Sequence, residues 1–280
     1  MFREEHTRRL DINYSERPFK TRIQEGENLV GSFVSLSSAG IVEILAEAGM
    51  DFIIIDQEHR PKSWETVENL IRAADVYRMP ALVRVREDVE FSTLHALDVG
   101  AAGILMSFTE TADQVRKAVE AMRYPPNGVR GTCTQTRASR YGTMSQKFVG
   151  YAQETASELV LMALIESPKG AANIAEMVKV DGLDAIMLGR SDLASAMGKL
   201  GQSGDPEVVA AANEVLRVVT EDSSRRTRAA MVVYSIDECE AWRRRGCSLL
   251  VNTETNLLLN AARRWCSDVR SIQIEKTLPT

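Results

Sequence analysis

The sequence predicts an α/β protein, a single (β/α)8 barrel, on three observations. Its strand-like runs, such as Phe52-Ile-Ile-Ile55 and 159–165, are rich in Val, Ile and Leu without polar alternation, as a parallel sheet covered on both faces requires. Eight such runs are each followed by a helix-like segment, the count for a closed barrel of roughly 250 residues. No shift in composition marks a second domain, so residues 1–280 read as one barrel with 1–26 as an N-terminal arm. An open doubly wound sheet is the alternative; it would ordinarily carry a glycine-rich first turn, and no G-x-G-x-x-G occurs.

Residues 1–26 are polar without a clear period and read as an arm or a short helix packed on the outside. Residues 29–36 form the first strand candidate, and a helical pattern from Ser38 to about Gly49 puts Ile41, Val42, Ile44 and Leu45 on one face. The 52–55 strand is followed by an amphipathic helix over 64–74 and by a strand over 80–84 that ends on Arg84. Residues 91–99 read as a short helix, 102–106 as a strand and 111–123 as a helix capped by Thr109 or Thr111. Tyr124-Pro-Pro-Asn-Gly-Val-Arg-Gly131 is turn chemistry, and the polar stretch up to Thr155 reads as a long loop of the kind that carries function or moves. Residues 159–165 form a strand ending on Glu166, 170–178 a helix, and 184–189 a strand running into Arg190-Ser-Asp-Leu193. A helix over 206–220, a strand over 229–233, a helix over 237–245, a strand over 248–251 and a last helix over 256–267 complete the alternation.

Net charge is −5, and the 34 basic residues are scattered apart from short runs such as Arg243-Arg244-Arg245, which argues against a nucleic-acid surface. No apolar run approaches the roughly 18 residues of a membrane span, and residues 1–20 lack the apolar core of a signal peptide. A cytoplasmic protein with no nucleic-acid and no membrane partner is therefore expected. Cys133, Cys239, Cys247 and Cys266 have no C-x-x-C spacing; they read as reduced thiols, most of them filling core space, and indicate neither a zinc site nor a disulfide framework.

Catalytic groups of a (β/α)8 barrel come from the C-terminal ends of different strands, so the fold itself selects among 39 acidic residues. It selects Asp56, Glu58 and His59 after the second strand, Arg84 after the third, Glu166 after the fifth and Asp192 just after the sixth. Each taken alone has an ordinary alternative, since a strand-end Asp commonly caps the next helix and a strand-end Arg commonly pairs across the barrel. Together they form a coherent set. Glu166 and Asp192 are two hard oxygen donors on adjacent strands, suited to Mg²⁺ or Mn²⁺ with water and substrate at the other positions. Their charges balance the ion and leave it a Lewis acid toward an anionic substrate. An imidazole exchanges protons readily at physiological pH, so His59 is the natural general base, with Asp56 able to fix its tautomer. Arg84 offers a planar fork for a carboxylate or a developing enolate oxygen. Free N–H groups of the Gly189-Arg190-Ser191-Asp192 turn suit a substrate carboxylate.

These residues resemble the HpcH/HpaI aldolases, metal-dependent class II pyruvate aldolases. The matching pieces are Asp56-Gln-Glu-His59, Val83-Arg84, Asp98-Val-Gly100, Arg123-Tyr-Pro-Pro-Asn-Gly-Val-Arg-Gly131, Arg137-Ala-Ser-Arg140, Ile165-Glu166 and Gly189-Arg-Ser-Asp-Leu193, spread in family order from about residue 28 to 260. The resemblance implies a TIM barrel with its last helix exchanged between subunits of a homohexamer, a dimer of trimers. It makes Glu166 and Asp192 the ligands of a divalent metal (Mg²⁺ or Mn²⁺, with Co²⁺ a further candidate), Arg84 the group that stabilises the pyruvate enolate, and His59 with Asp56 the acid-base pair. Glu58, Gly189, Arg190 and Ser191 fall on the substrate side. The implied reaction is reversible retro-aldol cleavage of a 4-hydroxy-2-oxo acid to pyruvate, or a related 2-oxo acid, and an aldehyde.

The chain departs from the family in four places. A glutamine two positions before the metal Glu is Leu164 here, a G-P-x-D turn has become Gly189-Arg190-Ser191-Asp192, a frequent glycine is Gln57, and a late segment at the mouth reads Asn252-Thr-Glu-Thr-Asn256. Arg190 then either adds a cation to the carboxylate pocket or folds back to solvent. Two further readings stand beside the lyase. One is a transferase or decarboxylase that condenses oxaloacetate with an acyl-CoA, which Arg190 and the basic 123–140 segment would suit. The other is a catalytically silent barrel, against which the intact set of Glu166, Asp192, His59 and Arg84 argues.

Overall fold

The computed structural model describes residues 17–86, 89–221 and 227–272. Eight strands, β1 (Leu29–Val34), β2 (Phe52–Asp56), β3 (Ala81–Val85), β4 (Gly103–Met106), β5 (Val160–Ile165), β6 (Ala185–Leu188), β7 (Arg228–Val232) and β8 (Cys247–Thr253), pair in sequence order into a closed parallel barrel. Closure runs through β1 and β8, where Leu29 aligns with Leu249 and Gly31 with Val251. The helices are α1 (Phe19–Gln24), α2 (Ala39–Glu47), α3 (Trp64–Val76), α4 (Val89–Asp98), α5 (Ala112–Met122), α6 (Phe148–Glu158), α7 (Pro168–Ala172), α8 (Ile174–Met177), α9 (Arg190–Ala196), α10 (Pro206–Glu221), α11 (Ile236–Arg244) and α12 (Glu254–Ser271). Among the described residues no helix is long and apolar enough to cross a membrane.

The missing polar alternation has a direct cause, because both faces of every strand are covered. Phe52, Ile54, Leu82, Leu105, Met162, Leu164, Met187 and Leu249 fill the barrel interior. Ile53, Ile55, Val83, Ile104, Leu161 and Ile186 pack outward under the helices. Side chains alternate with period 2, so the inward rows continue one step beyond the apolar plug into Asp56, Arg84, Ser107, Glu166 and Gly189. These positions lie at the C-terminal rim.

Several expectations are corrected. The described part of the N-terminal arm is not an outer appendage: α1 closes the N-terminal end of the barrel, with Phe19 and Ile23 buried and the Phe19 ring 5.1 Å from that of Phe52. Lys20 Nζ fastens it by donating to the Leu159 carbonyl at 2.8 Å and pairing with Asp184 at 3.1 Å. Residues 1–16 lie outside the described residues. The stretch read as a loop up to Thr155 contains α6, whose Tyr151 packs with Phe148 against Tyr124. The helix read over 170–178 breaks at Asn173 into α7 and α8. On α2 the buried face is Val42, Leu45 and Ala46, while Ile44 is exposed. Thr111 is the cap of α5, in a reciprocal box with Gln114, and Thr109 is instead buried with its hydroxyl donating to the Met106 carbonyl. Of the four thiols only Cys247 is buried; Cys133 and Cys266 are exposed.

Candidate active site

Asp56 ends β2 and is buried, and its Oδ1 accepts the backbone N–H groups of Glu58 (3.0 Å) and His59 (3.1 Å). Asp56 therefore folds the turn that carries His59 through that residue's backbone; among the described contacts none joins it to the imidazole, the role first expected of it. His59 stands at the rim with 57% of its side chain exposed, and its Nε2 lies 3.9 Å from Glu58 Oε2. Gln57 closes the same loop by receiving the Lys62 N–H at 2.6 Å and donating to the Lys62 carbonyl at 2.9 Å.

Arg84, on β3, is the hub. Its Nε donates to Ser107 Oγ at 2.7 Å, and its NH2 lies 2.6 Å from Glu58 Oε2 and 3.2 Å from Glu166 Oε1. Arg86 holds the other Glu58 oxygen at 2.8 Å. Burial opposes ionisation of Glu58, but the Ser107 hydroxyl and the Arg84 charge outweigh it and hold the carboxyl below its ordinary value.

Glu166, just past β5, is 3% exposed, and its Oε2 accepts the Phe108 N–H at 2.8 Å. Burial pushes its pKa up to about 7, with the nearby Asp192 and Glu58 charges adding and Arg84 and the Phe108 N–H opposing. Asp192 is exposed in the first turn of α9. Gly189 precedes that helix, and a Cβ there would stand 2.7 Å from Glu166 Cγ, so only glycine lets the carboxylate sit where it does. Among the described residues no three His, Cys, Asp or Glu side chains gather as a metal cluster. The donor set is thus the two carboxylates, Glu166 buried beside the shared guanidinium of Arg84 and Asp192 open to water, and this fits a hard divalent cation that keeps several water or substrate ligands.

Arg190 lines the mouth cavity and is not folded back to solvent, but its charge is already paired. Its NH2 donates to Glu238 Oε1 at 2.5 Å and its guanidinium lies 5.2 Å from the Trp242 ring centre, so it is drawn sideways along the rim toward α11. Glu238 also accepts the Tyr234 N–H at 2.8 Å. Burial works against its charge, but Arg190 and the Tyr234 N–H hold it below the ordinary carboxylate value. Glu254, in the late segment that departs from the family, is buried and accepts the N–H groups of Ser35 (2.6 Å) and Leu36 (2.8 Å), which fixes the rim after β1.

A cavity of about 300 Å³ gathers Asp56, His59, Arg84, Glu166, Gly189, Arg190, Ser191 and Asp192 at this mouth, with Leu164 and Phe33 as its floor. Glu58 sits beneath, through Arg84. The basic segment does not join them. Arg130 and Arg137 line a separate cavity with Phe19 and Gly100, at the N-terminal end of the barrel, where they pair with Asp98 and Asp75. Sequence reasoning missed Ser35, Ser107, Phe108, Tyr234 and Glu238. The inward period of each strand would have found Ser35, Ser107 and Tyr234, which follow Phe33, Leu105 and Val232 at a spacing of two.

Comparison with known proteins identifies the family. The HpcH/HpaI aldolase/citrate lyase family profile matches residues 29–250. A hydroxypyruvate/pyruvate aldolase of Sagittula stellata is 36% identical over 195 residues, 69% of this chain and 75% of that protein. A 2-keto-3-deoxy-L-rhamnonate aldolase of Escherichia coli is 33% identical over 214 residues, 76% of each chain. The crystal structure of an HpcH/HpaI aldolase/citrate lyase family protein from Burkholderia cenocepacia superposes with a TM-score of 0.83 at 28% identity, over 90% of this chain and 98% of that one. With the barrel, the strand-end carboxylates and these likenesses in agreement, the chain belongs to the HpcH/HpaI aldolase/citrate lyase family and is a class II aldolase, a carbon-carbon lyase.

Proposed function

We propose that this enzyme catalyses the reversible cleavage of a 4-hydroxy-2-oxo acid to pyruvate, or a related 2-oxo acid, and an aldehyde. The observation that carries the reading is Arg84, buried at the mouth and held between Glu58 and Glu166 beside the open Asp192. Glu166 and Asp192 would hold Mg²⁺ or Mn²⁺, with Co²⁺ a further candidate, and such an ion supplies Lewis-acid polarisation of the 2-oxo group. Arg84 faces the oxygen on which enolate charge develops and lowers the cost of placing it there. His59, at the wet rim, takes the C4 hydroxyl proton through water; the C3–C4 bond then breaks, the electron pair passes into the enolate, and a proton returns to C3. Asp56 serves this step by fixing the His59 backbone. Gly189 and Ser191 flank the substrate carboxylate, and Arg190, braced by Glu238, forms the outer wall where the aldehyde leaves. The basic segment that would have suited an acyl-CoA lines a cavity at the other end of the barrel, which favours the lyase over the transferase.

The assembly belongs to the same proposal. Leu258, Leu259, Trp265, Val269 and Ile272 are exposed on or just past α12, an apolar surface that suits exchange of the helix in a homo-oligomer, with a hexamer the expected form. We take 1–280 as one domain working in the cytoplasm.

Exchange of pyruvate methyl protons in deuterium oxide, followed by NMR with Mg²⁺ or Mn²⁺ and then with chelator, tests the reading. Chelator-sensitive exchange that falls by about 100-fold or more in His59→Ala is expected. Absence of exchange in the metal-loaded wild type would refute the pyruvate assignment.

A further inference from the structure

We infer that Ser107-Phe108, the dipeptide just past β4, positions the enolate arginine and the buried metal carboxylate together. The inference rests on the aldolase reading and adds two positioning residues to it. Strand register supplies the first. Leu105 aligns with Arg84 on the neighbouring strand and points into the barrel, so Ser107 is the next inward position. Its hydroxyl accepts the Arg84 Nε–H at 2.7 Å, with both residues buried. The far end of the same guanidinium reaches Glu58 and Glu166. Because the guanidinium is planar, anchors at Nε and NH2 fix the plane of the fork and leave it little freedom to turn.

Backbone conformation supplies the second. Phe108 has φ 52°, in the left-handed region that a side chain bearing Cβ rarely adopts. That turn sends its N–H to Glu166 Oε2 at 2.8 Å. It also leaves the ring 5.0 Å from the Arg86 guanidinium, whose NH1 binds Glu58. Downstream, the Thr109 N–H donates to the Leu164 carbonyl of β5 at 3.0 Å and its hydroxyl to Met106, which locks the unusual turn in place. Strained backbone survives where surrounding contacts over-determine it, and it concentrates at working sites. The contacts form a circuit from Arg84 through Glu58, Arg86, Phe108 and Glu166 back to Arg84. Ser107 sets the orientation of the arginine, and Phe108 that of the carboxylate.

Two readouts separate these roles: Mn²⁺ affinity of the metal-free enzyme by isothermal titration calorimetry, and the rate of pyruvate methyl-proton exchange at saturating Mn²⁺ and pyruvate. Ser107→Ala is expected to slow exchange about tenfold or more while the Mn²⁺ Kd stays within about threefold, and Ser107→Thr, which keeps the hydroxyl, to recover most of the loss. Replacing Phe108 by its α-hydroxy acid, which puts an ester oxygen in place of the N–H and keeps the side chain, should raise the Mn²⁺ Kd about tenfold or more, whereas Phe108→Ala, which keeps the N–H, should stay within about threefold. Wild-type exchange in Ser107→Ala, no recovery in Ser107→Thr, or unchanged Mn²⁺ affinity of the position-108 ester would each overturn the inference. A wild-type enzyme that binds Mn²⁺ yet does not exchange pyruvate overturns the pyruvate assignment instead, and the ester titration still decides whether Phe108 orients Glu166.

Discussion

At the scale of single residues, the site depends on how closely side chains approach Glu166. A methyl group at position 189 would meet its Cγ at 2.7 Å, a separation that forces the carboxylate to move. Gly189→Ala is expected to weaken Mn²⁺ binding by about tenfold or more in calorimetric titration, with far less effect on the melting temperature. The Arg190–Glu238 pair gives a prediction of another kind. Glu238 titrates below the ordinary glutamate value of 4.5 in the folded chain, so its pairing stabilises the fold above that value and the contribution vanishes as pH falls through the depressed one. The wild type should therefore lose more stability than Glu238→Gln as pH falls below the ordinary value of 4.5, as read by urea unfolding. Much of this site is legible in the sequence, because a charge that ends an apolar run stands out as Asp56, Arg84 and Glu166 do. Ser107 does not stand out: a serine after Met106 looks like the first residue of any loop, and only its inward parity with Leu105 distinguishes it. The left-handed turn at Phe108 leaves no mark at all, since nothing in that residue type favours positive φ.

Among the elements, β-strands are read best and short helices worst, for one physical reason. A strand covered on both faces must be apolar throughout, and that continuous signal identifies all eight. The apolar side of α6 is one buried residue, Tyr151, so no stripe betrays the helix. In α1 the two buried residues, Phe19 and Ile23, lie within a charged stretch that reads as polar. Their contribution is nonetheless large, because they seal the N-terminal end of the interior. Phe19→Ala, which removes the ring packed on Phe52, should cost roughly 3 kcal/mol or more of unfolding free energy, measured by urea denaturation. A loss below about 1 kcal/mol would mean that the interior closes without α1.

At the scale of the whole molecule, the proposed assembly rests on α12. The α12 residue Trp265 is 71% exposed, and Leu258, Leu259 and Val269 share its surroundings, an unusual cost for a helix with nothing packed over it. Trp265→Glu is expected to shift the protein to a smaller species in size-exclusion chromatography with light scattering; an unchanged mass for that variant, or a monomeric wild type, would remove the exchange proposal.

By itself the sequence determined the barrel, because eight apolar strands alternating with amphipathic helices have few other ways to bury themselves, and it determined that Asp56, Arg84, Glu166 and Asp192 share one mouth, because parallel strands all end on the same side. The tertiary structure alone decided what each group touches. Asp56 holds a backbone and not a ring, Arg190 lines the mouth with its charge paired to Glu238 over Trp242, and the basic segment lies at the opposite end from the mouth. Such outcomes depend on distances between residues far apart in the chain, and periodicity, which reports only which side a residue faces, carries no information about them.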